Sequence, residues 1–243
     1  MTSVGPKKSR FKMGLGSYAR VSQGSGDAVT STYAFAGLYG RYQPNAFFVD
    51  FNVAGGYVGG SGTRTVSSNV ALGGTETATA KSNGAFVSPQ VGFGYRHQYD
   101  QSGTITPSTR VRYMMAQYGG YTEVGTSAPI AMGGRSYQAV ETRTDVEFAR
   151  ARRSANGASF RVYQTIGLMS QTRLTSGVVN AAIFGTQMSI VTPGSRSTMA
   201  AYIGGGVEYQ TARGATLFAN FEAQVRFDKT VAGNARAGAI WSF

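Results

Sequence analysis

The sequence predicts an all-β fold, a transmembrane antiparallel up-and-down β-barrel with about ten strands in this chain. Three observations support this prediction. Apolar and polar residues alternate over stretches of ten or more residues, the connections alternate between short and long, and the alternation continues to an aromatic last residue. Strands of roughly ten residues, with short turns at one rim and longer loops at the other, are typical of transmembrane barrels.

Composition excludes several other classes of protein. Glycine occurs 34 times in 243 residues, about twice the usual share of roughly 7%, and only 14% of residues are charged. The absence of cysteine excludes a disulfide scaffold. No window approaches 18 apolar residues, which argues against a helical membrane protein. A single histidine, His97, excludes most zinc sites and Ser-His-Asp triads.

The alternation locates the strands. From Leu217 to Phe227 every second residue is apolar, and the residues from Val140 to Phe148 follow the same pattern with Glu141 and Asp145 on the other face. The predicted strands are 10–21, 33–42, 47–59, 85–99, 104–119, 138–151, 159–174, 198–211, 216–227 and 235–243.

The connections separate a barrel from a soluble sandwich. Short links are predicted at 43–46, 100–103, 152–157 and 212–214. Long polar links are predicted at 22–31, 60–83, 121–135 and 175–197. A sandwich also alternates, but its strands average about 5 or 6 residues, and it has no reason to alternate its connection lengths. Because hydrocarbon offers no partner to backbone amides, a spanning sheet has to close.

Aromatic residues gather at strand ends near the short turns, where an interfacial girdle belongs. They are Phe47, Tyr99, Tyr209, Trp241 and Phe243. His97 has the same parity as Phe93 and Tyr95, so it is expected on the lipid or rim side as a girdle residue. That placement argues against barrel proteases and lipid hydrolases, which use an active-site histidine.

The polar faces are expected to look into the lumen. The lumen-facing residues predicted are Asp50, Arg96, Arg110, Arg112, Glu141, Arg143, Asp145 and Glu147. Neighbouring acids could form an acid–base pair, but arginines are interleaved with them. The sequence therefore favours an ion-pair lattice over an active site, with no catalytic, metal-binding or cofactor-binding residue and no cofactor.

The formal net charge of +12 has three interpretations. The cations could line the pore, favour lipopolysaccharide phosphates at the outer rim, or be solvated. Nucleic-acid binding would need basic residues clustered on one face with aromatic partners. Here they are spread over nearly every strand and loop, so no nucleic-acid partner is expected.

The end of the chain resembles the assembly signal of bacterial outer-membrane barrels, carried by Ala239, Trp241 and Phe243. Several segments, in order, are similar to the β-domain of classical (type V) autotransporters. They are AFAGLYGRY at 34–42, AFFVD at 46–50, GFGYR at 92–96, YTEVG at 121–125, GVEY at 206–209 and WSF at 241–243. The resemblance covers nearly the whole chain.

The resemblance implies a non-enzymatic translocator in the bacterial outer membrane, which exports an N-terminal passenger. Implied partners are outer-membrane lipid and lipopolysaccharide, the barrel assembly machinery, and the protein's own passenger and linker helix, which the lumen-facing residues would contact. Such domains are expected to have twelve strands after a pore-threading helix. Residues 1–243 are thus interpreted as one β-domain whose N-terminal strands, helix and passenger lie outside this chain.

Two alternatives stay open. A stand-alone small porin or surface adhesin would bind ligand through its long loops, with 60–83 as its first candidate site. A soluble all-β binding module is a weaker alternative. Heat-modifiable migration on a gel would separate the barrels from that module.

Overall fold

The computed structural model describes residues 9–12, 17–23, 27–191, 196–212 and 214–240. These residues form strands and their connections, and no helix occurs among them. The strands are β1 (Ser9–Lys12), β2 (Ser17–Gln23), β3 (Asp27–Tyr42), β4 (Phe47–Ser67), β5 (Thr75–Tyr95), β6 (His97–Gln98), β7 (Gly103–Tyr118), β8 (Tyr121–Thr122), β9 (Ile130–Met132), β10 (Arg135–Arg153), β11 (Ser159–Arg173), β12 (Val178–Ile183), β13 (Thr186–Val191), β14 (Ser197–Gln210), β15 (Thr216–Arg226) and β16 (Val231–Ile240).

The main sheet is an antiparallel meander. Its order is β3-β4-β5-β7-β10-β11-β14-β15-β16. Both β1 and β2 pair with β3, and β6 pairs with β7 beside β5. Counting β1 with β2 and β5 with β6, the main sheet has ten strand positions, in the order predicted. The predicted all-β, up-and-down barrel class is confirmed.

The sheet curls strongly into a half-barrel. Within the described residues no pairing joins β16 to β1 or β2. Short connections at 43–46, 99–102, 154–158 and 211–215 lie at one end of the strands, here named the turn rim. The opposite end, which carries 68–74 and the segment between β7 and β10, is named the loop rim.

The predicted long loops are the main error of the sequence interpretation. Residues 60–83 are not a loop: β4 runs to Ser67 and β5 begins at Thr75, leaving only 68–74 as the connection. Likewise β2 runs to Gln23 and β3 begins at Asp27. A strand beyond the membrane is wetted on both faces, so it can pair without the apolar alternation that marked its membrane part.

The other two predicted loops, 121–135 and 175–197, contain a second sheet at the loop rim. It has the order β13-β12-β9-β8. A bridge between Thr79 and Val124 ties it to the extended β4–β5 hairpin. The four strands lie between main-sheet strands in the chain, so they are additions to the rim and not extra members of the barrel wall.

Candidate functional site

Strand alternation gives the main sheet two chemically different faces. One face, here named the outer face, carries exposed apolar side chains such as Phe51 (55%), Ile166 (57%) and Leu168 (53%). The other, named the inner face, carries the charged residues, and Glu141 and Asp145 on it are only 8% and 5% exposed. This inverts the arrangement of a soluble protein, which exposes charge and buries apolar surface.

Asp145 on β10 accepts hydrogen bonds from three different side chains of the inner face. Its Oδ1 accepts a hydrogen bond from the Ser108 hydroxyl at 2.7 Å, and its Oδ2 accepts one from the Tyr202 hydroxyl at 2.6 Å. Arg110 Nη2 also donates to Oδ2 and forms a salt bridge. These charge-assisted hydrogen bonds replace the water that the Asp145 carboxylate has lost, so they stabilise its negative charge on the inner face.

Two further acids are each held by one arginine in a two-bond arrangement. Arg41 Nε and Nη2 donate to the two oxygens of Asp50 at 2.6 and 2.8 Å. Arg112 Nη2 donates to both oxygens of Glu141 at 2.7 Å. The planar guanidinium suits such paired contacts and fixes both side chains in one geometry.

Two arginines extend the lattice across several strands. Arg161 contacts Glu147 at 2.6 Å and Glu208 at 3.3 Å. Arg143 Nη2 lies 2.6 Å from Glu222 Oε2 and so spans β11 and β14. A contact that skips two strands requires the inner face to be concave.

The concave face encloses a cavity of about 850 Å³. Six of the residues predicted to face the lumen line it: Asp50, Arg96, Arg110, Arg143, Asp145 and Glu147. The other two, Arg112 and Glu141, pair with each other on the same face, two residues nearer the loop rim. The structure thus brings these side chains onto one surface.

The assembly-signal residues are only partly covered. Ala239 lies opposite Leu217 in the β15–β16 pairing, on the outer face. Trp241 and Phe243 lie outside the described residues. Of the predicted girdle, Phe47, Tyr99 and Tyr209 are exposed on the described structure, and His97 lies beside Tyr95 with ring centroids 6.4 Å apart.

Sequence reasoning underrated several members of the lattice. Tyr202 was not among the predicted site residues, although its alternation with Glu208 on β14 could have placed it on the inner face. Gly167 was missed too, because a glycine carries no polar signal. Its place opposite both Asp145 and Tyr202 emerges only from the strand registers.

The loop rim carries a second, separate polar network. Arg64 on β4 forms a two-bond salt bridge with Glu123, at 3.1 and 2.6 Å. Glu76 Oε2 accepts hydrogen bonds from the Ser127 backbone N–H at 2.6 Å and from the hydroxyls of Thr126 and Ser127, both at 2.9 Å. The Ser127 N–H is the main cause that lowers the pKa of Glu76 to about 2.

Two kinds of feature do not occur in the described structure. No group of three or more His, Asp or Glu residues with metal-binding geometry occurs among its residues. No helix of sufficient length and apolar character to cross a membrane is found in the part of the chain described. The acids of the inner face are arranged as an ion-pair lattice with arginine.

An apolar outer face, a polar concave inner face and an up-and-down strand order define the class of protein as an outer-membrane β-barrel. A family profile described as Autotransporter beta-domain matches residues 8–222. Because the match covers most of the chain, the chain belongs to the autotransporter β-domain family, the translocator of type V secretion. Among curated proteins, no sequence matches this chain.

Proposed function

We propose that this barrel exports a passenger located N-terminal to it, along the polar inner face. Membership of the autotransporter β-domain family supports a translocator role. The observation that carries the proposal is the ion-pair lattice around the 850 Å³ cavity, since it keeps a hydrated path beside an apolar outer face. A polypeptide with unpaired backbone amides can cross hydrocarbon only along such a water-filled route.

The lumen-facing residues would also hold the linker helix that precedes the barrel. Arg96 and Arg236 line the cavity, and neither forms a salt bridge within the described residues. Both are therefore available to carboxylates of a helix in the channel. The acids and arginines of the lattice, including Asp50, Arg110, Arg112, Glu141, Arg143, Asp145 and Glu147, would keep the remaining wall polar.

Assembly is proposed to use the last strand. Ala239, Trp241 and Phe243 share one parity and would be engaged by the barrel assembly machinery. Outer-membrane lipid and lipopolysaccharide would then surround the outer face. Neither nucleic acid nor a cofactor is part of this proposal.

Filling the channel tests export directly. Thr165 lines the cavity and Gln164, its neighbour on β11, faces outward. In the full-length protein with a tagged passenger, Thr165→Trp should lower the passenger fraction that is protease-accessible on whole cells. Gln164→Trp adds the same ring to the lipid side and should leave export unchanged.

Both variants must first insert, which heat-modifiable migration of the barrel verifies. Equal surface display by inserted Thr165→Trp and Gln164→Trp barrels would contradict export through this channel. The coding sequence upstream of residue 1 gives a second test. An open frame encoding a helix, a passenger and a signal peptide is expected there, and a stop codon would contradict the proposal.

A surface adhesin is a second candidate, favoured by the sheet at the loop rim. Its β12–β13 hairpin has no charged residue, and Phe184 at its tip is 73% exposed. Removing Val178–Val191 should abolish adhesion of cells if this sheet binds a ligand. If adhesion depends on the presence of the passenger and not on Val178–Val191, this candidate is excluded.

A further inference from the structure

A groove of about 400 Å³ lies on the outer face near the loop rim, between β3, β4 and β5. Most of its lining consists of outward-facing positions. Among them are Thr32, Tyr57, Gly59, Ser61, Lys81 and Asn83. The groove therefore opens toward lipid and not toward the channel.

Charge is almost absent from the outer face, which makes Lys81 distinctive. On the outward-facing positions of the main-sheet strands from Ala28 to Ile240, the only charged residues are Lys81, Arg150 and Arg152. Arg150 and Arg152 lie at the turn rim. Among these positions Lys81 is the single cation at the loop end, and it lies in the wall of the groove. In the strand register, Arg20 on β2 pairs with Thr30 of the same wall.

The strand register gives the height of the groove in the membrane. The apolar band on β4 runs from Phe47 at the turn rim to Tyr57, ten residues further on. At ~3.3 Å per residue and a tilt of about 40°, this band is roughly 25 Å tall, the height of the hydrocarbon zone of such barrels. Ser61 and Lys81, which face each other two register pairs beyond Gly59 and Asn83, lie just above it.

We propose that this groove binds a lipid A phosphate of lipopolysaccharide in the outer leaflet. Longer loops of outer-membrane barrels face the cell exterior, so the loop rim lies at the outer leaflet. The Lys81 ammonium would pair with the phosphate, while Ser61, Thr32 and Asn83 supply further hydrogen-bond donors. Acyl chains would lie below, along Tyr57 and Val87.

Gly59 keeps the groove open. A Cβ at this position would contact only the Tyr57 ring, at 3.6 Å, so larger residues fit without a backbone clash. A side chain there fills the space in which the phosphate would lie. Gly59→Leu therefore tests the groove without changing its charge.

The proposal rests on the outer-membrane placement and deepens the lipid contact proposed above, and it does not depend on passenger export. Full-length protein, extracted from outer membranes in neutral detergent and freed of lipid, is titrated with bisphosphorylated lipid A by native mass spectrometry. Lys81→Ala should weaken binding about tenfold, the effect of losing one charge-assisted contact. Gly59→Leu should weaken binding by a similar factor, because its side chain fills the space of the phosphate. Lys81→Arg should restore it, and Arg150→Ala, which removes an outer-face cation at the turn rim, should bind as the wild type does.

Three comparisons identify the ligand. Lipid A without phosphates should bind the wild type as weakly as intact lipid A binds Lys81→Ala, and neither phosphatidylglycerol nor inorganic phosphate should compete. Unchanged binding by folded Lys81→Ala, equal loss in Arg150→Ala, or tight binding of phosphate-free lipid A overturns the proposal. Competition by either other phosphate source overturns the assignment to lipid A. Surface display of the passenger by Lys81→Ala, measured separately, should stay at the wild-type level.

Discussion

The Tyr202 hydroxyl on β14 donates a 2.6 Å hydrogen bond to Asp145 on β10, across the intervening strand β11. The residue between them on β11 is Gly167, which pairs with Asp145 on one side and Tyr202 on the other. The Tyr202 ring also lies beneath the Arg143 guanidinium, whose central carbon is 4.0 Å from the ring centroid. One missing side chain on β11 thus allows three strands to be joined on the inner face.

Gly167→Ala should destabilise the barrel. The added Cβ would lie 2.6 Å from Thr144 O, 2.7 Å from Asp145 Cβ and 2.8 Å from Tyr202 Cζ, all closer than real contacts. To relieve these clashes, the Tyr202 ring must leave Asp145 or the strands must separate, which should lower the free energy of unfolding by about 1–3 kcal/mol. Urea unfolding in lipid vesicles measures this loss. Gly233→Ala, whose Cβ would meet only Glu222 O at 3.7 Å, is the control, and equal losses would contradict this account.

The salt bridge between Arg143 and Glu222 should show strong coupling. The two side chains are 20% and 24% exposed and span two strands, so water screens them poorly. A double-mutant cycle with Arg143→Gln and Glu222→Gln should give about 1–3 kcal/mol. The exposed pair of Arg150 and Asp100, 3.7 Å apart, should show no coupling beyond the error of the cycle, because water screens it. Comparable values for both cycles would contradict strong coupling between Arg143 and Glu222.

Deleting Phe243 should lower the yield of inserted barrel. The residue continues the outer-face parity of Ala239, and we expect the assembly machinery to read that row of side chains. The measurement is the heat-modifiable fraction in isolated outer membranes. Ser242→Ala changes the other parity and serves as the control. Unchanged insertion after deletion of Phe243 would exclude its role in assembly.

The membrane part of this fold could be predicted from sequence because lipid imposes a strict alternation. Val91 and Val111 must face outward while Asp145 and Glu222 face inward, and a slip of one residue would exchange the two faces. At the loop rim this constraint disappears, so the sequence pattern of 60–83 and 175–197 predicts loops where the structure has strands. Hydrogen bonds between non-adjacent strands, such as the one from Tyr202 to Asp145, depend on the curvature of the sheet. The alternation pattern within one strand does not predict them.

The β12–β13 hairpin contains a strained residue whose replacement should stabilise it. Phe184 and Gly185 form its two-residue turn, with φ of 51° and 75°. A turn with two positive φ values favours Asn-Gly, and a left-handed phenylalanine costs about 1–2 kcal/mol. Phe184→Asn should therefore raise hydrogen-exchange protection of Val178–Val191, since the exposed ring contributes little packing. Gly185→Ala should lower this protection. If Phe184→Asn lowers the protection and Gly185→Ala raises it, Phe184 is not strained.

Acid should release the segment 121–130 from the β4–β5 hairpin. Folding lowers the pKa of Glu76 from 4.5 to about 2, chiefly through the Ser127 N–H, and the hydrogen bonds from Arg64 lower that of Glu123. A carboxylate with a lowered pKa stabilises the folded state fully above its ordinary pKa of 4.5. That contribution is lost as the pH falls toward 2. Protease accessibility of 121–130 should rise over this range, and Glu76→Gln should raise it already at pH 7.

The turn 154–158, which has no acidic residue, should respond equally in both proteins. If Glu76→Gln and wild type are cleaved alike at pH 7, Glu76 does not hold this segment.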